Sequence, residues 1–290
     1  MKILITGGNG FIARNLAEQL DNGYDIASFN SRELNLLDSS KVYEFLKANK
    51  FDCIIHTATY DAAPKHSLKD PEKVLEYNLR MFFNLVRCKD YFGRMIYFGS
   101  GAEFGRENWQ PRMKEDYFDQ NVPQDQYGFS KYIMAKYSRG IANIYNLRLF
   151  AVFGKYEDWR VRFISNACCQ AVLNLPITIR QNKAYDFLYI DDLIRVVEWF
   201  INNKPKYNTY NVCTGTTHDF KSLAQKIIKI SGKKLSLKIE TDGPGREYSG
   251  DNSLLLNELK NLKFRPIDES IKTLFDWYVS NKQAIEEDKL

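Results

Sequence analysis

Two hundred and ninety residues carry 41 lysines and arginines against 36 aspartates and glutamates, which leaves a formal net charge of +5. These basic residues are scattered and form no stripe interleaved with aromatic side chains, which argues against a nucleic-acid partner. No apolar run approaches the roughly 20 residues that span a bilayer, and no signal-peptide pattern precedes the first predicted strand.

We therefore expect a cytoplasmic location and no membrane partner. The five cysteines include no CxxC pair, and the chain has only three histidines. Neither a disulfide framework nor a zinc site is predicted from these counts. We expect His56 to pack at the end of a strand, and His66 and His218 to be ordinary loop residues.

Short apolar runs alternate with segments of helical periodicity through the first half of the chain. The predicted strands cover Ile3 to Thr6, Ile26 to Phe29, Cys53 to Thr57, Met95 to Phe98 and Leu147 to Phe150. The predicted helices cover Phe11 to Leu20, Ser40 to Asn49, Glu72 to Asp90 and Phe129 to Ala142. This alternation predicts an α/β fold with a Rossmann-like, doubly wound parallel sheet.

The alternation loosens after Gly154, which suggests a smaller C-terminal α/β lobe that binds substrate. We expect residues 1–154, rejoined by about 184–213, to form a dinucleotide-binding domain. Residues 155–183 and 214–290 would then form the substrate-binding lobe. Within it, the turn-rich segment 241–251 is expected either at the rim of a site or as a plain surface loop.

Three glycines follow the first predicted strand, and Gly7, Gly10 and Ala13 have the spacing of a dinucleotide-binding loop. Glycine lets the backbone approach a ligand closely, and the helix that starts with Phe11 and Ile12 directs amide groups and a positive dipole at an anion. We predict that this loop binds the pyrophosphate of a dinucleotide.

The end of the second predicted strand favours one dinucleotide over the other. Asn30, Ser31 and Arg32 stand there, and a guanidinium suits the 2'-phosphate of NADP. NADP(H) is therefore the predicted cofactor. Glu33 lies one position further on, so NAD remains possible.

Tyr127 and Lys131 lie four residues apart near the start of a predicted helix, so both project from one face. The same spacing occurs in three other pairs: Tyr43/Lys47, Tyr132/Lys136 and Tyr278/Lys282. Among these pairs, only Tyr127/Lys131 lies near the start of a helix that follows the fourth strand. Ser100 ends that strand and could hydrogen-bond the substrate oxygen to which Tyr127 would transfer a proton. We expect the Lys131 ammonium, together with a nicotinamide cation, to lower the pKa of the Tyr127 phenol so that it can move a proton.

Together these segments resemble the extended short-chain dehydrogenases, the family of nucleotide-sugar epimerases, dehydratases and reductases. The resemblance covers Met1 to about Thr214 and rests on TGGNGFIA, NSRELNLLDS, HTAT, FGSGAEFG, YGFSK and LRLFAVFG. SRELNLLDS is particularly similar to GDP-fucose synthase and the deoxysugar 4-ketoreductases, which use NADPH. The resemblance places Ser100, Tyr127 and Lys131 in catalytic positions, with Tyr127 and Lys131 also beside the cofactor. It places Gly7, Gly10, Arg32, Asn35 and Leu36 in cofactor positions, the last two near the adenine.

Departures from the family pattern narrow the expected reaction. Dehydratases have Asp and Glu where this chain has Gly101 and Ala102, and Glu103 lies one step later, so dehydration is not expected. The cysteine and histidine of the fucose-synthase epimerisation are absent from Ala102 and from the two positions after Gly154. Ala151 and Tyr185 replace an asparagine and an arginine that commonly contact the substrate, and Arg246 is the leading candidate for a diphosphate contact.

We expect reduction of a 4-keto-6-deoxysugar nucleotide with NADPH. A nucleotide-sugar 4-epimerase that retains NAD would use the same residues, and a dinucleotide-binding module with a vestigial site is a third possibility. The substrate partner is expected to be a nucleotide-diphosphate sugar, and the family resemblance implies a homodimer. The sequence identifies neither the base nor the sugar.

Overall fold

The computed structural model describes residues 1–20, 23–62 and 67–290. Its strands are Lys2–Thr6 (β1), Asp25–Phe29 (β2), Phe51–His56 (β3), Phe92–Ser100 (β4), Ile144–Leu149 (β5), Ala151–Phe153 (β6), Ile177–Asn182 (β7), Ala184–Tyr189 (β8), Thr209–Val212 (β9), Thr217–Asp219 (β10) and Leu237–Pro244 (β11). Its α-helices are Phe11–Gln19 (α1), Ser39–Asn49 (α2), Val74–Val86 (α3), Gln126–Ser138 (α4), Phe163–Val172 (α5), Ile190–Asn202 (α6), Phe220–Ser231 (α7), Ser253–Glu258 (α8) and Ile267–Ser280 (α9).

The main sheet has six parallel strands in the order β2-β1-β3-β4-β5-β9. The chain moves outward from β1 to β2 and then crosses to the other side of β1 to form β3. Ligands of such sheets bind beyond the carboxyl ends of the strands where this order reverses. The predicted doubly wound fold is therefore confirmed, and its topology directs attention to the ends of β1 and β3.

Strand alternation divides the core into layers on the two faces of the sheet. Ile3 and Ile5 of β1 are fully buried in one cluster, which also receives side chains of α1, α5 and α6. Leu4 is fully buried in a second cluster, with side chains of α2, α3 and α4. Because helices cover both faces, the strands read as nearly continuous apolar runs.

The second half of the chain builds smaller sheets. Strand β8 lies between β6 and β10, β7 pairs with β11, and β9 joins the main sheet. Thus, within 184–213, α6 and β9 belong with the first half, whereas β8 pairs outside the main sheet. The division into a dinucleotide domain and a substrate lobe stays a prediction. Across the three described ranges, no helix is long and apolar enough to cross a membrane.

Two predicted helices have different bounds. The segment predicted as one helix from Glu72 to Asp90 is a 3-10 turn, α3 and a second 3-10 turn. Helix α4 begins three residues earlier than predicted because the Asp125 carboxylate accepts a hydrogen bond from Gly128 N (2.9 Å) and caps it. His218 lies in β10 rather than in a loop, and His66 lies outside the described residues.

Candidate active site

A cleft of about 1400 Å³ opens at the carboxyl ends of β1, β3 and β4. Residues from Gly7 at one end of the chain to Tyr248 near the other line it. This is the place that the strand order predicts for a ligand. In the ranges the structure describes, no three His, Cys, Asp or Glu side chains gather as metal ligands.

The glycine loop forms the floor of the cleft below α1. Gly7 has φ +73°, and a Cβ there would lie 2.9 Å from Ala58 Cα, so only glycine fits without strain. Gly10 N donates to Gly7 O (2.8 Å) and closes the turn. In the described part of the chain no side chain caps the first turn of α1. A tight loop below uncapped helix amides fits the pyrophosphate of a dinucleotide.

The residues that follow β2, which are expected beside the adenosine ribose of a dinucleotide, include both a guanidinium and a carboxylate. Asn30, Ser31, Asn35 and Leu36 line the cleft, whereas Arg32 does not. Arg32 is exposed, and its amide donates to Asn30 Oδ1 (2.9 Å). The Glu33 carboxylate accepts from Asn30 N at 2.9 Å. The predicted contact of Arg32 with a 2'-phosphate stays a prediction.

The three residues expected in catalysis line one region of the cleft. Ser100 ends β4, and α4 presents Tyr127 and Lys131 from its first two turns. Lys131 Nζ donates to Phe98 O (2.9 Å) and lies 5.7 Å from the centre of the Tyr127 ring. The sheet and the helix thus bring Ser100 close to Tyr127 and Lys131, which lie 27 and 31 residues further along the chain.

Burial determines the titration of these groups. It raises the pKa of Tyr127, and the Asp61 carboxylate adds to the increase, whereas Arg162, Arg106 and the Ser100 hydroxyl oppose it. Among the protein's own groups, loss of hydration of the phenolate therefore outweighs the nearby cations. The expected lowering of this pKa, which also involves a nicotinamide cation, stays a prediction. Burial also lowers the pKa of Lys131 to about 8.

His56, expected at a strand end, lines the cleft at the end of β3 and is almost completely buried. Its Nδ1 lies 2.9 Å from Thr6 Oγ1. Burial and the Lys131 ammonium lower the pKa of His56 to about 3, so the ring is neutral. The packing role expected from the sequence agrees with these contacts.

The positions that hold two acids in dehydratases are filled by packed neighbours. A Cβ on Gly101 would lie 2.6 Å from Tyr248 Cε2, and Ala102 is fully buried. Glu103 points into the core and pairs with Arg148 (2.8 Å). In this chain neither position 101 nor position 102 supplies an acid or a base.

Another part of the cleft wall contains residues that the sequence analysis did not single out. Tyr248 stacks on Trp109 with ring centres 4.0 Å apart, and its hydroxyl lies 3.5 Å from Ser100 Oγ. Four cationic side chains also line this wall: Arg106, Arg162, Arg180 and Lys183. Thr241 and Tyr248 belong to the turn-rich segment that was expected at the rim of the site or as a plain surface loop. No motif or spacing in the sequence pointed to the four cationic residues.

Two of these cations have half-exposed carboxylate partners. Arg106 Nε lies 3.3 Å from Asp125 Oδ2, and Arg162 Nη2 lies 3.9 Å from Asp61 Oδ2. Arg246 does not line the cleft, and its guanidinium donates to the carbonyl oxygens of Arg106 (2.8 Å) and Glu107. The geometry therefore gives no support to the predicted diphosphate contact of Arg246.

Comparisons with known proteins agree with this geometry. Residues 3–213 match the model of the NAD dependent epimerase/dehydratase family. ADP-L-glycero-D-manno-heptose-6-epimerase of Brachyspira hyodysenteriae is 25% identical over an alignment of 262 positions that covers 79% of this chain and 80% of that protein.

Two solved structures have the same fold. A GDP-6-OMe-4-keto-L-xylo-heptose reductase from C. jejuni has a TM-score of 0.84 at 19% identity, over 97% of this chain and 98% of that one. A GDP-L-fucose synthetase from Naegleria fowleri bound to NADP has a TM-score of 0.83 at 16% identity, over 98% of this chain and 94% of that one. The match over residues 3–213 shows that the chain belongs to the NAD dependent epimerase/dehydratase family, whose members are NAD(P)-dependent enzymes acting on nucleotide sugars.

Proposed function

We propose that this enzyme reduces the keto group of a 4-keto-6-deoxysugar nucleotide with NADPH. One observation carries the proposal: Ser100, Tyr127 and Lys131 line the same cleft as the glycine loop, whereas Gly101 and Ala102 stand where dehydratases have acids. The cleft thus has the groups for hydride and proton transfer at a carbonyl and lacks those that eliminate water.

Each of the three residues has a defined task in that reaction. Because burial raises its pKa, Tyr127 is protonated at neutral pH and can donate its hydroxyl proton to the carbonyl oxygen. Ser100 hydrogen-bonds the same oxygen, and Lys131 lies where its ammonium can bind the nicotinamide ribose. The bound dinucleotide supplies the hydride.

NADPH is proposed over NADH for two reasons. Arg32 follows the end of β2 and is exposed, so its guanidinium is free of the core and can reach a 2'-phosphate. The similar fucose synthetase was solved with NADP bound. The Glu33 carboxylate beside Asn30 is the feature that favours NAD.

The proposal of a nucleotide sugar as substrate depends on the cationic side chains that line the cleft. Arg106 and Arg162 line the cleft beside Tyr127 and suit the diphosphate of a nucleotide sugar. Residues 155–183 and 214–290, which supply much of this wall, are proposed to bind the substrate. The similar heptose reductase is named for a GDP-linked 4-keto sugar, which supports a 4-keto nucleotide sugar as substrate but gives no support to the 6-deoxy group.

A 4-epimerase that retains NAD is the second candidate. Glu33 at the end of β2 favours it, because a carboxylate there binds the ribose hydroxyls of NAD. An epimerase would use Tyr127 first as a base and needs no residue beyond those of the reductase. The reductase is preferred because Arg32 suits the 2'-phosphate of NADP. The homodimer and the cytoplasmic location stay predictions.

The test combines cofactor identity with turnover. Freshly purified protein is denatured, any released dinucleotide is identified by mass, and the nucleotide-free protein is titrated with NADPH and NADH. The protein is then incubated with 4-keto-6-deoxysugars linked to GDP, UDP, dTDP or CDP and with NADPH deuterated on the transferred position. Tyr127→Phe serves as the inactive control.

Deuterium at C4 of the sugar and tighter binding of NADPH than of NADH support the reductase. Retained NAD, with interconversion of C4 epimers and no consumption of NADPH, establishes the epimerase instead. Dinucleotide binding without turnover of any sugar in either assay contradicts both enzymes and leaves a binding module.

A further inference from the structure

A buried carboxylate holds the Ser100 backbone from below. Glu103 is fully buried, and its Oε1 accepts a hydrogen bond from Ser100 N at 3.0 Å. Ser100 Oγ in turn accepts from Ala102 N at 3.1 Å. The Tyr248 hydroxyl, 3.5 Å from Ser100 Oγ, donates to Leu149 O at 3.4 Å, so the Ser100 hydroxyl can donate its hydrogen to Tyr248 or to an oxygen bound in the cleft.

The other oxygen of the same carboxylate is tied to the neighbouring strand. Glu103 Oε2 accepts from Arg148 Nε at 2.8 Å, and Asn146 Nδ2 donates to both Glu103 oxygens at 3.3 and 3.2 Å. Arg148 is itself 1% exposed and donates from Nη1 to Asn211 Oδ1 at 3.1 Å. The carboxylate therefore joins the ends of β4, β5 and β9.

The glycine at position 99 leaves space for the Glu103 carboxylate. A Cβ on Gly99 would lie 2.1 Å from Glu103 Oε1 and 2.1 Å from Asn146 Oδ1, so β4 has glycine immediately before Ser100. A buried ion pair is seldom more stabilising than apolar side chains of similar volume. Stability alone therefore gives little reason for an ion pair and a glycine in the centre of a sheet.

We propose that Glu103 is a positioning residue for the reaction: anchored by Arg148, it fixes the Ser100 backbone so that the hydroxyl donates to the reacting oxygen of the sugar. This inference rests on the proposed function only in that Ser100 contacts that oxygen. It applies equally to reduction and to epimerisation.

A double-mutant cycle tests the proposal with Glu103→Gln, Ser100→Ala and the double variant. The wild type is assayed on whichever nucleotide sugar it turns over. We expect Ser100→Ala to reduce kcat about 100-fold or more and Glu103→Gln to reduce it about tenfold, with KM little changed. On the Ser100→Ala background, Glu103→Gln should cost less than about twofold, because a residue that acts through Ser100 has nothing left to position.

Asp192→Asn is the matched control, because Asp192 is another buried carboxylate paired with an arginine but lies outside the cleft lining. It should leave kcat within about twofold of wild type. Equal losses from Glu103→Gln on both backgrounds, or no loss on the wild-type background, overturn the proposal.

If Glu103→Gln does not fold, Glu103→Leu combined with Arg148→Met replaces the pair by apolar side chains, and the same cycle is run in that protein. Hydrogen exchange of residues 98–105 gives a readout that needs no cofactor and no substrate. Faster exchange there than in the Asp192→Asn control is expected, and unchanged exchange contradicts the anchoring role. Absence of turnover by the wild type refutes the proposed function and leaves this exchange result to decide the anchoring.

Discussion

The two walls of the cleft are built in different ways. The wall proposed to bind the dinucleotide, called here the dinucleotide wall, comes from contiguous segments: β1, the glycine loop and α1 follow one another within residues 2–19, and the end of β2 follows soon after. The wall proposed to bind the sugar nucleotide, called here the substrate wall, combines the turn after β4, the start of α5, strand β7 and the 241–248 segment. A site formed by one continuous segment can be recognised from the spacing of its residues in the sequence. A site assembled from four separate segments cannot be recognised in this way.

The walls also differ in their charges. The glycine loop offers backbone amides, which are fixed by the fold and carry no net charge. The substrate wall offers side-chain cations, and those of Arg106 and Arg162 are 50% and 60% exposed beside carboxylates at 3.3 and 3.9 Å. Such exposed ion pairs are weak. A diphosphate could therefore displace the carboxylates at little cost.

Where the walls meet, replacing Tyr127 should have the largest effect. Tyr127→Phe removes the proton donor and keeps the ring, so kcat should fall about 10³-fold while NADPH affinity stays within about twofold. Steady-state kinetics and calorimetry measure the two quantities. A variant with wild-type kcat would remove Tyr127 from the mechanism.

On the dinucleotide wall, Gly7→Ala should weaken NADPH binding about 10- to 100-fold. Its φ of +73° and the 2.9 Å approach to Ala58 Cα would force the loop out of shape, at about 1–3 kcal/mol. Gly232→Ala is the matched control, because Gly232 has φ +67° and open space around its Cβ position. Calorimetry should show weaker binding in Gly7→Ala alone. Equal affinities in the two variants would mean that the glycine loop does not bind the cofactor.

On the substrate wall, Arg106→Gln and Arg162→Gln should each raise KM for the nucleotide sugar about tenfold, the loss expected for one charge-assisted hydrogen bond. NADPH affinity should not change. Arg80→Gln is the control, since Arg80 is an ion-paired arginine, 61% exposed, on α3. Arg246→Gln is expected to have less than a twofold effect, and a tenfold rise in KM from that variant would restore the contact predicted from sequence.

The smallest expected effect is the change of kcat/KM with pH. Lys131 has a pKa of about 8, lowered by burial, so its ammonium is present below pH 8 and is lost above it. We expect kcat/KM to be halved near pH 8 and to fall further at higher pH. Because the pKa of Tyr127 is raised above its usual value of about 10, a decline that begins only above pH 10 would assign the titration to Tyr127 instead.

Sequence periodicity predicted the first half of the fold well, because β1, β3 and β4 contain short apolar runs and the helices α1, α2 and α3 each have an apolar face. It placed the start of α4 three residues late, since Asp125 as a cap is a single polar residue with no periodic signal. The helix predicted at 72–90 was too long at both ends, because the 3-10 turns that flank α3 have nearly the same composition as a helix.

The predictions for the candidate site succeeded or failed in the same way, according to whether a residue belongs to a local sequence pattern. Gly7, Gly10 and the Tyr127/Lys131 pair could be recognised because each belongs to a local spacing. Glu103 was noted only as an acid one step away from the dehydratase positions, since its partners on β5 come together with it only in the folded sheet. The burial that raises the pKa of Tyr127 had no counterpart in the sequence analysis, because burial cannot be judged from neighbours in sequence.

The contact between Gly101 and Tyr248 has a consequence for how this enzyme could change. Ring atoms of Tyr248 occupy the space that any side chain at position 101 would need. Restoring an aspartate there therefore fails unless the tyrosine is first exchanged for a smaller residue. An evolutionary or laboratory path to dehydration must accordingly begin in the C-terminal segment, far along the chain from the acids themselves.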